Sequence, residues 1–294
     1  MKVLFTSDLH GETRLYHELF DLCQRASAEI LILGGDLLPS FAPSKRYEDM
    51  IPNQKTFIDQ FLLPFFKTLI EKTFTHLIFL IPGNWDLGYP CLFRDPLENM
   101  VDLSQNGYRL PSGYELLGYP FVPPTPFRPK TYEKMDDRES PWPPQKNPSY
   151  IRLAEQDDQL TPIDPHVYLK QGGTIEEDLQ CLTCPTDLKK TIYVMHSPPY
   201  GTRLDSIQGG HRVGSKAIKT FVEKNQPLLT LHGHIHESLD VSGSFLDKIG
   251  ETFSVNPGQF TSRCKNSYEL HAVTFEIEKI GETLSHTCLG SPTG

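Results

Sequence analysis

The chain has 294 residues, 38% hydrophobic and 22% charged, which reads as a soluble globular protein long enough to build a sizeable core in one large domain or two ordinary ones. No apolar run approaches the ~18 residues of a membrane span, and six cysteines in so long a chain do not look like a disulfide framework. Its 28 basic and 37 acidic residues leave a net charge of −9, which argues against non-specific nucleic-acid binding but leaves room for a nucleotide substrate, since bound cations invert the field of an acidic site.

Met1-Lys2-Val3-Leu4-Phe5 leads into a chemically loaded segment by Asp8, too early for a removable leader, so a cytoplasmic location is expected. Val3 to Thr6 reads as a buried strand, followed by Asp8-Leu9-His10-Gly11 and then by Leu15, Leu19 and Leu22 at helical spacing. Ile30 to Leu33 is the next strand, ended by Gly34-Gly35-Asp36. Apolar pairs from Phe57 to Ile70 recur at helical spacing, with a kink expected at Pro64. Leu77 to Ile81 is a third strand, ended by Pro82-Gly83-Asn84-Trp85-Asp86. After residue 190, Thr191 to Met195 reads as a strand ending at His196, and Ser215 caps a helix carrying Ile218, Phe221 and Val222. Leu228 to Leu231 is a strand ending at His232-Gly233-His234-Ile235-His236. Val273, Phe275 and Ile277 alternate with polar residues, which predicts a strand with one solvated face. This alternation of strands and helices predicts an α/β layered fold.

Prolines at 120, 123, 124, 126, 129, 141, 143, 144 and 148 exclude regular helix or central strand from the middle of the chain. Phe121, Phe127, Tyr132 and Trp142 make that stretch too aromatic for a flexible linker. It reads equally as a surface cover or as a wall beside a site. Thr174 and Glu177 then form a capping box for a short helix.

Most of the suspicious polar residues stand just after a strand, where α/β folds gather ligands. Asp8 and His10 are two apart, and in extended chain such residues point to one side, so both reach one metal; His234 and His236 repeat the device around Ile235. Mixed Asp, Asn and His donors suit two divalent ions such as Mn, Fe or Zn. Asp36 is the natural bridge, giving an oxygen to each, and a pair of ions about 3.5–4 Å apart holds a bridging hydroxide poised for in-line phosphoryl displacement. Single histidines carry little weight, and His17, His76, His166 and His286 read as ordinary core or surface residues. Cys181 and Cys184 have no second pair nearby and read as structural. Arg203, His211 and Arg212 lie between two histidine segments, either meeting a substrate phosphate or forming an exposed loop.

Taken together, Asp8-Leu9-His10, Gly35-Asp36, Gly83-Asn84, His196 and Gly233-His234-Ile235-His236 resemble the signature of the calcineurin-like metallophosphoesterase superfamily over about residues 1–260. The resemblance implies a four-layer αββα sandwich with two mixed β-sheets, here one domain over 1–294 with an excursion at about 120–185. It implies that Asp8, His10, Asp36 and His236 hold one metal and that Asp36, Asn84, His196 and His234 hold the other. Asn256-Pro257-Gly258 looks like the family's late Asn-x-Gly turn, and His196-Ser197-Pro198-Pro199-Tyr200-Gly201 is similar to members described as phosphodiesterases or uncharacterised phosphoesterases. One departure stands out: the family's usual His after the Asn, which assists the leaving group, is Trp85 here.

The expected activity is hydrolysis of a small phosphodiester or phosphomonoester, with Asp36 and Asn84 at the reacting centre, His211 as replacement proton donor, and Trp85, Arg203 and Arg212 against the substrate. The rival is a protein-binding scaffold on the same fold, as in the retromer subunit; a full set of seven ligands favours the enzyme, while Trp85 pulls the other way. A nuclease fits poorly, because no basic stripe is present.

Overall fold

Strand propensity and burial agree along the chain in the computed structural model, which describes residues 1–40, 46–104, 107–140, 151–182, 185–259 and 269–289. Pro141, Trp142, Pro143, Pro144, Pro148 and Cys184 lie outside the described residues. The N-terminal run becomes β1 (Lys2–Thr6), and α1 (Thr13–Ala26) buries Leu15, Leu19 and Leu22 on one face. β2 (Ile30–Leu33) follows. Next come α2 (Met50–Phe57), a π-helical turn over Ile58–Leu62 and α3 (Leu63–Lys72), which carries Pro64 in its first turn. The kink expected at Pro64 takes the form of that widened turn just before it, because proline has no N–H for the preceding carbonyls. β3 (Leu77–Leu80), the short α4 (Tyr89–Leu92), β4 (Met100–Asp102), β5 (Tyr108–Arg109) and β6 (Glu115–Tyr119) complete the first half.

Inside the excursion stand a hairpin of β7 (Arg152–Gln156) and β8 (Gln159–Ile163), then α5 (Pro165–Gln171) and α6 (Ile175–Cys181). The capping box at the start of α6 forms as expected between Thr174 and Glu177. The second half supplies β9 (Thr191–Met195), α7 (Lys216–Asn225), β10 (Leu229–Leu231), α8 (Ser238–Ser242), β11 (Leu246–Ile249), β12 (Thr252–Val255), β13 (Leu270–Glu276), α9 (Ile280–Thr283) and β14 (Ser285–Leu289). Ser215 caps α7 through the N–H of Ile218.

Two six-stranded mixed sheets result, in the orders β14-β13-β1-β2-β3-β4 and β11-β12-β10-β9-β6-β5. Because side chains alternate across a strand, each sheet feeds two cores. Phe5, Ile30, Ile32 and Phe79 of the first sheet meet Ile192, Val194, Leu229 and Leu231 of the second. Leu4, Leu31, Leu33 and Leu80 pack outward on α1 and α3. Tyr193 and Met195 pack outward on α6 and α7. The architecture is the expected αββα sandwich. Each wholly buried Leu, Ile or Phe contributes about 1.5–3 kcal/mol, so the central layer holds the two strand groups that carry the site.

One expectation changes. β13 is covered on both faces over its first half, since Leu270 and Ala272 join the helix-side core while Val273 and Phe275 join the inter-sheet core. α1 packs against that part of β13 and covers the face expected to be solvated. Among the described residues no helix is long and apolar enough to cross a membrane.

Candidate metal centre

β1, β2 and β3 run parallel side by side, as do β9 and β10 in the other sheet, so five polar-tipped loops leave the sandwich at one edge. Backbone bonds lace the first two loops together: Asp8 N–H donates to Gly35 O at 2.8 Å, His10 N–H to Asp36 O at 2.8 Å and Gly11 N–H to Leu37 O at 2.9 Å. The two sheets are joined where His234 N–H donates to Asp8 Oδ1 at 3.0 Å and His196 Nδ1 to Gly34 O at 2.7 Å.

Six of the seven residues expected as ligands fall here into two donor groups. Donor atoms of Asp8, His10, Asp36 and His236 lie within 4.8 Å of one another, and so do those of Asp36, His196 and His234. Asp36 belongs to both. Its Oδ1 accepts the Trp85 N–H at 2.8 Å, while Oδ2 is 3.8 Å from His10 Nε2 and 3.5 Å from His196 Nε2. Oδ2 therefore stands toward both groups. His10 Nε2 and His236 Nε2 stand only 3.1 Å apart, and His236 Nε2 is 3.3 Å from Asp8 Oδ1.

Two buried atoms test whether cations fit. Asn84 Oδ1 and His196 Nε2 have no hydrogen-bond partner among the described residues. Leaving a buried polar atom unsatisfied costs about 1–3 kcal/mol. Both belong to side chains that the family pattern assigns to one ion, and a cation between them satisfies both. The other nitrogens are already engaged: Gly34 O takes the Nδ1 proton of His196, and Ser40 Oγ bonds His10 Nδ1. That fixes which nitrogen is left to bind metal.

The backbone departs from expectation. Asp8, His10, Asp36 and His234 have φ of 59°, 46°, 53° and 66°. Ligand pairs two apart thus reach one side through left-handed conformations, not through extended chain. Non-glycine residues held there carry about 1–3 kcal/mol of strain each, and such strain clusters at functional sites.

Charge follows the geometry. Burial would raise the Asp8 carboxyl, but His236, His196 and His10 outweigh it and hold the group well below the usual carboxylate range. Burial would lower His196, but Asp36 beside it reverses the sign and carries it up to about 9. Burial dominates at His10 and His234, which fall to about 4 and about 3.

Several residues that matter here went unassigned in the sequence reading. Asp86, wholly buried, accepts N–H bonds from Gly83, Leu37 and Leu38 at 2.9, 3.0 and 2.8 Å, tying the Asn84 loop to the Asp36 loop. Gln54 donates to Trp85 O at 2.7 Å and accepts from Gly88 N–H at 2.7 Å. Asn256 does hold the late turn, donating to Gly233 O and Ile235 O at 3.1 and 3.2 Å. His232 Nδ1 donates to Met195 O and Ser197 O at 3.0 and 2.9 Å.

The cavity over the ligands has a volume of about 450 Å³ and is lined in part by Asp8, His10, Trp85, His236 and Gln259. Trp85 is buried against Met50, Ile51 and Leu87, and its ring lies 5.3 Å from that of Phe127, which is 45% exposed. This contact brings the excursion to the cavity. A buried Lys130–Glu133 pair at 2.8 Å stiffens it, and Asp136 accepts the Lys216 N–H at 2.6 Å to anchor it on α7. Arg203 is exposed. Arg212 braces its own loop through Thr202 O, Ser206 Oγ and Asp205 Oδ1, the last at 3.1 Å. His211 is exposed on the same turn, whose Ile207 N–H donates to His211 O at 3.0 Å; neither it nor Arg203 nor Arg212 is among the residues lining the cavity.

The calcineurin-like phosphoesterase family model matches residues 1–238, and the chain belongs to that family. Among solved structures, TT1561 of Thermus thermophilus is similar at 17% identity, with 98% of each chain covered and a TM-score of 0.51. A dimetal phosphatase from Danio rerio is similar at 9% identity, with 99% of each chain covered and a TM-score of 0.51. These likenesses are of fold. No curated protein matches the chain.

Proposed function

We propose that the chain is a hydrolase of phosphodiesters or phosphomonoesters, working at a dinuclear centre held by Asp8, His10, Asp36, Asn84, His196, His234 and His236. The observation that carries this reading is the pair of donor groups meeting at Asp36 Oδ2, with Asn84 Oδ1 and His196 Nε2 buried and unpartnered beside them. Mixed carboxylate, amide and imidazole donors favour Mn, Fe or Zn. Two such ions, when bound, supply Lewis acidity and an acidified water.

The chain's own residues do the rest. Trp85 N–H and Asp86 hold Asp36 and Asn84 in place through the loops they share. The Trp85 ring gives the cavity an aromatic wall, and Phe127 packs against that ring. Indole cannot donate a proton at neutral pH, so substrates whose leaving group departs as an anion are favoured, with aryl esters and nucleotides matching the wall. His211 remains the proposed donor for poorer leaving groups, and Arg203 and Arg212 the proposed phosphate contacts. The scaffold reading has no use for buried, unpartnered ligand atoms.

The test is metal analysis paired with hydrolysis of a panel of aryl and alkyl phosphoesters. The unmodified protein should take up two ions at this centre after reconstitution with Mn, Fe or Zn, and Asp36→Ala should lose the activity and most of those ions. A reconstituted protein that retains no metal rules the enzyme out.

A further inference from the structure

The hairpin of β13 and β14 carries three unlike donors at one corner, none of them shared with the Asp36 centre. His271 and Cys288 face each other across the antiparallel pair, and Glu269 stands just before β13. Cys288 Sγ lies 3.3 Å from Glu269 Oε2 and 3.5 Å from His271 Nε2, and the last two atoms are 3.9 Å apart. A tetrahedral zinc ion with bonds of about 2.0–2.3 Å requires donor spacings of roughly 3.3–3.8 Å. Every side of the triangle is within about 0.5 Å of that demand.

The surroundings orient the donors. His271 Nδ1 is 3.3 Å from His286 Nε2, and the His286 ring is stacked at 24° on Phe245, 5.1 Å between centroids. With its other nitrogen engaged, His271 turns Nε2 toward Cys288 and Glu269, the arrangement of a metal-binding imidazole. His271 is buried, Glu269 half-buried and Cys288 exposed, so the fourth position opens to water. Asp240 and Glu18 add to the negative field at Cys288.

We propose that Glu269, His271 and Cys288 hold a single zinc-class ion that clips the edge strand β14 onto β13. In the free hairpin the thiol S–H donates a hydrogen bond to Glu269 Oε2; metal binding releases the thiol proton to solvent and leaves the thiolate on the metal. A thiolate selects zinc or cobalt(II) over manganese, which separates this site from the Asp36 centre.

Cobalt(II) titration of the full chain reads the thiolate directly. At saturating cobalt, a thiolate-to-cobalt absorption band should reach the intensity of one site per chain in the unmodified protein and in Asp36→Ala alike, so its fate is independent of the hydrolytic centre. Cys288→Ser should abolish the band, Glu269→Gln should weaken cobalt binding at least about tenfold, and Cys91→Ser should change neither. No band in the unmodified protein, or a band surviving in Cys288→Ser, overturns the proposal. Alkylation of Cys288, followed by peptide mass, needs no variant: zinc should slow it at least about tenfold and manganese should not. An alkylation rate indifferent to zinc also overturns it.

Discussion

Gly83 stands so close to Asp36 that a Cβ on it would lie 2.6 Å from the carboxylate carbon. Gly83 has no left-handed φ, but a Cβ there would also collide with the Asp36 backbone nitrogen, so alanine must push the shared ligand and its loop together. Gly83→Ala should therefore weaken metal binding at the centre at least about tenfold, equivalent to about 1.4 kcal/mol. Isothermal titration with manganese checks this; unchanged affinity would show that Asp36 is not the shared ligand.

Asp86 offers a different lever, through stability as well as activity. Burial, then the neighbouring Asp36, push its carboxyl up to about 7, against the pull of three N–H donors. Asp86→Ala strands those donors in the interior and should destabilise the fold by about 2–4 kcal/mol, since each unsatisfied group costs about 1–3 kcal/mol and some relax toward other partners. Asp86→Asn keeps one acceptor and should fall between. Denaturant unfolding of the three proteins gives the order.

Trp85 stands where the family signature described for the sequence leads one to expect a histidine. A general acid typically contributes about 10²–10⁴-fold. Trp85→His should therefore speed alkyl phosphoesters more than aryl ones and narrow the preference of the unmodified protein for aryl substrates. If alkyl and aryl esters are hydrolysed equally fast before the change, and His211→Ala alters neither rate, the account of the missing histidine is wrong.

The buried His232 links stability to pH. Burial lowers it from 6.5 to about 4. Below pH 6.5 the unfolded chain takes up a proton that the folded chain refuses until about pH 4. Its contribution is complete above 6.5, falls by about 3 kcal/mol as pH drops to 4, and is level below that. In His232→Gln this slope disappears, so the stability difference between the two proteins should shrink by that amount over the same window. Parallel curves would show that His232 titrates alike in the folded and unfolded chain.

The sequence made the ligands legible because each follows an apolar run whose end is marked by Gly, Asp or His, as at Gly35-Asp36 and Gly233-His234. The same signal could not say what Asp86 does, since a buried carboxylate that binds backbone and one that binds metal share a letter. Ser40 and Gln54 act through partners 30 and 31 residues away, His10 and Trp85, and nothing local announces such pairings. The β7–β8 hairpin went unread among the prolines, although Asp157 and Asp158, with φ of 51° and 64°, are residues that tolerate its tight turn. The left-handed ligand backbone is invisible for a related reason: glycine advertises positive φ, whereas Asp and His, though they tolerate it, adopt it at only a small share of their positions.

The four left-handed ligand positions set stability and chemistry against each other. At about 1–3 kcal/mol each, they draw on a reserve that for a whole domain is only about 5–15 kcal/mol. Selection for a tougher protein alone would therefore drift toward glycine or relaxed loops at Asp8, His10, Asp36 and His234 and dismantle the centre as it went. Lineages that keep these residues must be held to them by something other than folding, and thermostabilised variants of this chain have to gain their margin elsewhere, in the helix layers and the excursion, rather than at the loops that crown the sandwich.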